Sequence, residues 1–135
     1  MHNCVAVSET ADRLRRYLED ELGECQSEDL KARLEALDDL EAVLDPEIIS
    51  SDVQTLSALG NETRYRLVRL LVEADEELCV CEITPLVDVS DSAVSHALSN
   101  LADADLVTKR KDGRWRKYRA TSRASALLTV LDGSR

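Results

Sequence analysis

Four cysteines, at positions 4, 25, 79 and 81, offer this chain the most chemistry. Cys79 and Cys81 stand one residue apart in the apolar run "ELCVCEI" (77–83). Thiolates are soft ligands that select As(III), Sb(III), Cd(II), Pb(II) or Hg(II) over ions that seek oxygen. The bland alternative is a pair of small buried hydrophobes flanking Val80. Geometry bears on the choice, because residues i and i+2 point about 200° apart in an ideal helix but project from one side of an extended segment. Thr84-Pro85 reads as a helix start, with Thr as cap and Pro in the first helical position. Residues 78–83 are therefore expected to be extended, with both thiols facing one way beside a helix N-terminus that favours thiolate.

The compartment decides how such thiols behave. No stretch reaches the roughly 18 apolar residues of a membrane span, and the N-terminus lacks a basic-then-apolar signal. A cytoplasmic protein with no membrane partner is expected, in which thiols stay reduced and close pairs serve as ligands or redox sensors. Catalytic patterns are missing. Ser95-His96 are helix neighbours about 100° apart with no carboxylate placed to orient the imidazole. There is no phosphate loop, dinucleotide fingerprint or two-carboxylate site. The chain reads as a non-enzyme with no permanent cofactor.

Net charge is -10, but it is unevenly spread. Residues 1–50 hold 14 acids and 5 bases, and 51–135 hold 13 acids and 12 bases. Within the second part, "KRKDGRWRKYR" (109–119) has seven bases and one acid. That segment is where a polyanion could be touched.

The elements that position these groups follow from periodicity. Residues 1–50 read as a helical hairpin extension, an acidic or dimerising arm. Its first helix has Ser8 as cap and Leu14, Leu18 and Leu22 as its stripe, ending at Gly23; its second starts near Ser27 and runs through Leu30, Leu34, Leu37 and Leu44 until Asp45-Pro46. Residues 51–135 read as a second domain. A short helix ends at Gly60, and Asn61 caps "ETRYRLVRLLVEAD", whose Leu67, Leu70, Leu71 and Ala74 mark a buried side. After Thr84-Pro85 comes a tight turn at 88–90. Ser90 then caps a helix with Val94, Ala97, Leu98 and Leu101 inward, which completes a helix-turn-helix. Its outer face carries Ser92, Ser95, His96, Ser99 and Asn100, short polar groups suited to base edges or phosphates in a major groove. Asp112-Gly113 signals a two-residue hairpin turn. The expected fold is mainly α with a small β-hairpin: a winged helix-turn-helix carrying an N-terminal helical hairpin.

The order "ALGNETRYRLVRLL", "ELCVCEI", "SDSAVSHALSNLADADLV" and "KDGRWRKYR" over residues 54–132 resembles the ArsR/SmtB family of winged-helix metalloregulators. The resemblance implies a homodimeric repressor that pairs through residues 51–59 and 123–133 and binds double-stranded operator DNA. On the recognition helix it points to Ser90, Ser92, Ser95, His96, Ser99 and Asn100, and on the wing to Lys109, Arg110, Lys111, Arg114, Arg116 and Lys117. It implies release of DNA when a metal or metalloid binds. The last helix has no His, which excludes the His/Asp sites of the zinc and nickel sensors. The Cys79–Cys81 pair is similar to the box of the arsenite and cadmium/lead branches. A third Cys of the arsenite branch is replaced here by Thr84, and the cadmium/lead branch adds cysteines from an N-terminal arm, for which Cys4 and Cys25 are the candidates. The inducer is expected to be As(III) or Sb(III), with Cd(II) or Pb(II) as the alternative and a thiol redox switch as a further one.

Four Lys against 13 Arg and 27 acids suit a cytoplasm of high salt, where screening relieves self-repulsion. The midpoint of thermal unfolding should rise from dilute buffer to molar KCl, and a midpoint that stays level removes the high-salt reading.

Overall fold

Among the described residues, seven helices and three short strands form. The computed structural model describes residues 4–24 and 26–135, with side chains from residue 11 onward. The chain divides into two units, Met1–Asp45 and Pro46–Arg135.

The first unit is a pair of helices packed on each other, α1 (Cys4–Leu22) and α2 (Ser27–Glu41). Helix α1 starts at Cys4, five residues earlier than a Ser8 cap predicts, so Ser8 lies inside it. It ends where Gly23 takes a left-handed φ of 80°, a conformation that costs glycine nothing. Helix α2 opens on a capping box in which the Gln26 N–H donates to Asp29 Oδ2 at 3.1 Å. It closes before Leu44, because Val43 and Leu44 turn back in three-residue hydrogen bonds to Leu40 and Glu41. Leu18 and Leu30 are buried, while Leu22, Leu34 and Leu44 stay exposed. Two helices alone cannot cover both of their leucine stripes.

The second unit runs α3 (Pro46–Leu59), α4 (Glu62–Ala74), β1 (Leu78–Cys79), α5 (Val80–Ile83), a 3-10 turn (Thr84–Leu86), α6 (Asp91–Asp103), β2 (Val107–Asp112), β3 (Trp115–Ala120) and α7 (Ser122–Gly133). Helix α3 crosses residue 50, where the charge count divides the chain. Asn61 caps α4 by accepting the Arg64 N–H at 3.1 Å, and Ser90 caps α6 by accepting the Ala93 N–H at 3.1 Å. Arg64 then turns back to donate to the carbonyls of Ala58 and Ser57 at 2.8 and 3.3 Å, satisfying the end of α3.

Helix α6 ends without glycine. Asp105 takes φ 59°, the Leu106 N–H reaches Leu101 O at 3.0 Å and the Asp105 N–H reaches Ala102 O at 3.1 Å. This is a Schellman stop with Asp in the left-handed position, which the short Asp side chain tolerates. It aims the chain into β2.

The sheet is antiparallel, in the order β1-β3-β2. The hairpin is the expected one, but its turn is shifted by one residue. Asp112 still pairs with Trp115, so the loop residues are Gly113 and Arg114. Only Gly113 has positive φ, at 62°, which places glycine at the first loop position as a type II′ turn requires. The third strand is unforeseen: Leu78 pairs with Tyr118 and Cys79 with Lys117.

The core joins α4, α6 and the sheet around Leu67, Val68, Leu71, Ile83, Val94, Leu98, Leu101, Leu106 and Val107, all at most 2% exposed. Leu101→Ala should lower unfolding free energy by about 2–5 kcal/mol in urea titration. Leu86→Ala, at a residue 61% exposed, should change it by less than about 0.5 kcal/mol.

Candidate functional site

Residues 78–83 are not extended throughout. The strand ends at Cys79, whose backbone is extended (φ -74°, ψ 150°), and the helical turn α5 starts at Val80. The first helix of the helix-turn-helix therefore begins four residues before Thr84, in two short pieces, with Ile83 as the cap of the 3-10 turn. Thr84 instead donates its hydroxyl to Val80 O at 2.9 Å.

The two thiols converge nonetheless, because Cys79 sits on the extended N-cap and Cys81 on the second helical position. Cys81 Sγ donates to Cys79 Sγ at 2.9 Å. Glu82 closes the turn as a capping box by accepting the Cys79 N–H at 2.9 Å. Cys79 is buried and Cys81 exposed, so the pair opens to solvent on one side.

The expected push toward thiolate is absent at Cys81. Its hydrogen bond to Cys79, with burial and the nearby Glu82 charge, holds this thiol above its ordinary range. A four-residue turn brings too few peptide dipoles to offset these effects.

Two sulfurs sharing one tetrahedral ion at about 2.3 Å each lie roughly 3.8 Å apart. The pair therefore fits a thiophilic ion after its sulfurs spread by about 1 Å. Among the described residues no group of three or more His, Cys, Asp or Glu could hold a metal, so these two thiols are the whole local donor set. The Cys4 side chain and Cys25 lie outside the described residues.

A second surface is built from α6 and the hairpin. Ser92, His96 and Ser99 are exposed and Ser95 is half-buried, all within an arc of about 100° opposite the buried Val94, Ala97, Leu98 and Leu101. Ser90 uses its oxygen as the helix cap and retains its O–H to donate. Asn100 is turned aside. It lines a groove of about 250 Å³ with Gln54, Ser57, Arg64 and Asp103, between α3, α4 and α6.

The hairpin sorts its cations by face. Pairing of Lys109 with Tyr118 and Lys111 with Arg116 puts these bases on the face that carries the buried Val107 and Tyr118. Arg110, Lys117 and Arg119 lie on the other face, and each meets acid. Arg110 grips Glu77 in a bidentate pair at 2.9 Å, Lys117 reaches Asp112 at 3.2 Å, and Arg119 reaches Asp75 at 3.7 Å. The Arg110 hydrogen bond pulls the Glu77 carboxyl below its usual range. Arg114 stacks over Trp115, 4.7 Å from the ring centre. Among the described residues, the ion pairs leave Lys109, Lys111, Arg114 and Arg116 without a carboxylate. The Glu77 clamp left no mark in the sequence, since it joins residues 33 apart.

Known proteins agree with this architecture. Residues 61–109 match the model of "bacterial regulatory protein, arsR family". A putative arsenical resistance operon repressor of Halobacterium salinarum is 56% identical over 93% of this chain and 98% of its own. A second putative repressor of the same kind from that organism is 49% identical over 68% of this chain and 77% of its own. The crystal structure of a possible transcriptional regulator for arsenical resistance is 40% identical, with a TM-score of 0.50 over 60% of this chain and 82% of that one. A thiol-bearing turn, a polar helix face and a basic hairpin thus occur together with matched sequence, and the chain belongs to the arsR family of DNA-binding transcriptional repressors, which are not enzymes.

Proposed function

We propose that the chain works as a homodimer that holds double-stranded operator DNA in the cytoplasm and releases it when Cys79 and Cys81 take up arsenite or antimonite. The carrying observation is the convergence of two reduced sulfurs to 2.9 Å on a turn that leads directly into the helix-turn-helix. Cys79 and Cys81 each exchange an S–H for an S–As bond, each proton leaving with one hydroxyl of arsenous acid as water. Neutral thiols suffice for that exchange, whereas a divalent ion requires thiolates and releases their protons. The names of the two Halobacterium salinarum relatives support the same inducer class. Cd(II) or Pb(II) is the alternative.

Two thiols leave the third position of trivalent arsenic to another donor. Cys4 or Cys25, from either protomer, is the proposed third thiol.

The dimer contact falls on the apolar side chains that the second unit leaves in solvent. Ile49, Val53 and Leu56 line α3, and Val130 and Leu131 line α7. The exposed leucines of α1 and α2 are a further apolar surface for pairing between protomers. In such a dimer the two α6 helices address half-sites about one DNA turn apart, so a small change in each subunit spoils both contacts together. Ser90, Ser92, Ser95, His96 and Ser99 read the major groove, with Asn100 at its edge. Lys109, Lys111, Arg114 and Arg116 hold phosphate and minor groove, with Arg110 and Lys117 in reserve behind their acidic partners.

Operator binding by wild type should weaken by about 5- to 150-fold in arsenite or antimonite, the usual size of such coupling. Cys79→Ser with Cys81→Ser should abolish the response, and Cys4→Ser or Cys25→Ser should blunt it. A double variant that still dissociates with arsenite removes the pair as sensor. Release by peroxide with no effect of arsenite, antimonite, cadmium or lead makes the pair a redox switch instead.

The wing makes a separate prediction. Lys109→Ala, Lys111→Ala, Arg114→Ala and Arg116→Ala should each reduce the slope of log affinity against log salt by about 0.9, with Lys117→Ala reducing it less. A slope unchanged by all four removes the wing from the phosphate contact.

A further inference from the structure

The thiol pair and the wing belong to one sheet. Cys79 pairs with Lys117 on β3, and Lys117 pairs with Arg110 on β2, so the buried thiol, the central lysine and the outer arginine form one row across three strands. Glu77, two residues before Cys79, reaches over this row to Arg110 with contacts of 2.9, 2.9 and 3.1 Å. The contact spans the sheet from one edge strand to the other. Both side chains are substantially exposed, 54% for Arg110 and 31% for Glu77, so the pair adds little to stability. Its geometry is more informative than its strength. Glu77 occupies the Nε and Nη2 donors of Arg110 and offsets its charge, so the pair leaves Arg110 less of both to offer a DNA phosphate.

We propose that the Glu77–Arg110 clamp transmits the state of the Cys79–Cys81 pair to the wing, which makes Glu77 a positioning residue of the inducer response. The inference rests on the thiol pair being the inducer site. Spreading of the two sulfurs strains the turn that Glu82 closes on the Cys79 amide. Glu77 lies on the same short strand approach, and its displacement carries Arg110 and the outer strand with it. Signal then leaves the thiols in two directions, forward through α5 to α6 and sideways across the sheet to the cations. Glu77 binds neither the inducer nor DNA.

Glu77→Gln keeps the shape of the side chain and removes its charge. Two measurements on the full-length protein test the clamp. In the absence of inducer, the variant should steepen the salt slope of operator binding by about 0.9, because Arg110 becomes available to phosphate. In arsenite, it should lose at least about fivefold of the wild-type release, while the arsenite-dependent loss of titratable thiol stays at the wild-type level. Arg110→Gln should reduce the release by the same factor, and the double variant by no more than either single one, as for two residues acting as a unit. A wild-type salt slope together with full release in both single variants overturns the clamp. Additive losses in the double variant do so as well. A wild type that keeps its operator in arsenite, antimonite, cadmium and lead sinks the inducer site itself, and the clamp with it. Full release by wild type and both variants alike sinks the clamp alone.

Discussion

Two residues of β-strand, Leu78 and Cys79, tie the thiol-bearing turn to the cationic hairpin, and the rest of the second unit is arranged around that tie. A two-stranded hairpin is marginal in water by itself. Here the third strand gives β3 a partner on each side, and Tyr118, 3% exposed, seats that strand on the core. Cys79 thus has neighbours on both sides of its role: a buried side chain at the edge of the packed interior, and a backbone bonded to the wing. Chemistry at its sulfur acts on a strand rather than on a loose loop.

Charge is handled by the same pleat. An acidic chain of net charge -10 approaches a polyanion only if its positive charge is local. Alternation along β2 and β3 places Arg110, Lys117 and Arg119 over the acids at 75, 77 and 112, and puts Lys109, Lys111 and Arg116 on the opposite face. Asp75 and Glu77 before β1, with Asp112 in β2, therefore serve as internal partners for three of the hairpin's seven bases, and the other four keep their charge unpaired among the described residues.

The helices around this sheet are cross-linked at their ends. Arg64 caps the carbonyls of α3, Gln54 donates to Asp103 O at the end of α6 at 3.4 Å, and the Thr121 hydroxyl donates to Asp105 O at 2.9 Å while it caps α7. Arg69 of α4 holds Asp132 of α7 at 2.8 Å. The buried apolar core lies behind these links, and close-packed interiors are stiff.

Most of the helical architecture was legible because its signals are local. The caps at Asn61 and Ser90, the stop at Pro46 and the inward residues of α6 are read within one or two turns of chain, and the basic hairpin announces itself by composition and by Gly113. The Ser8 cap and the Asp112-Gly113 loop were misplaced by local cues that compete over a few residues. Residues 78–83 differ from the extended segment that their sequence predicts, because Thr84-Pro85 is a sound helix start and nothing nearby reveals that a turn forms ahead of it. The close thiol pair, the polar outer face of α6 and the cationic hairpin were set by residue type and spacing. The third strand and the Glu77–Arg110 clamp were decided only by tertiary structure, since each needs β1 laid beside β3, a pairing between residues some 40 apart that no local propensity encodes; the 2.9 Å approach of Cys81 to Cys79 and the elevated Cys81 thiol follow from the turn that forms at residue 80.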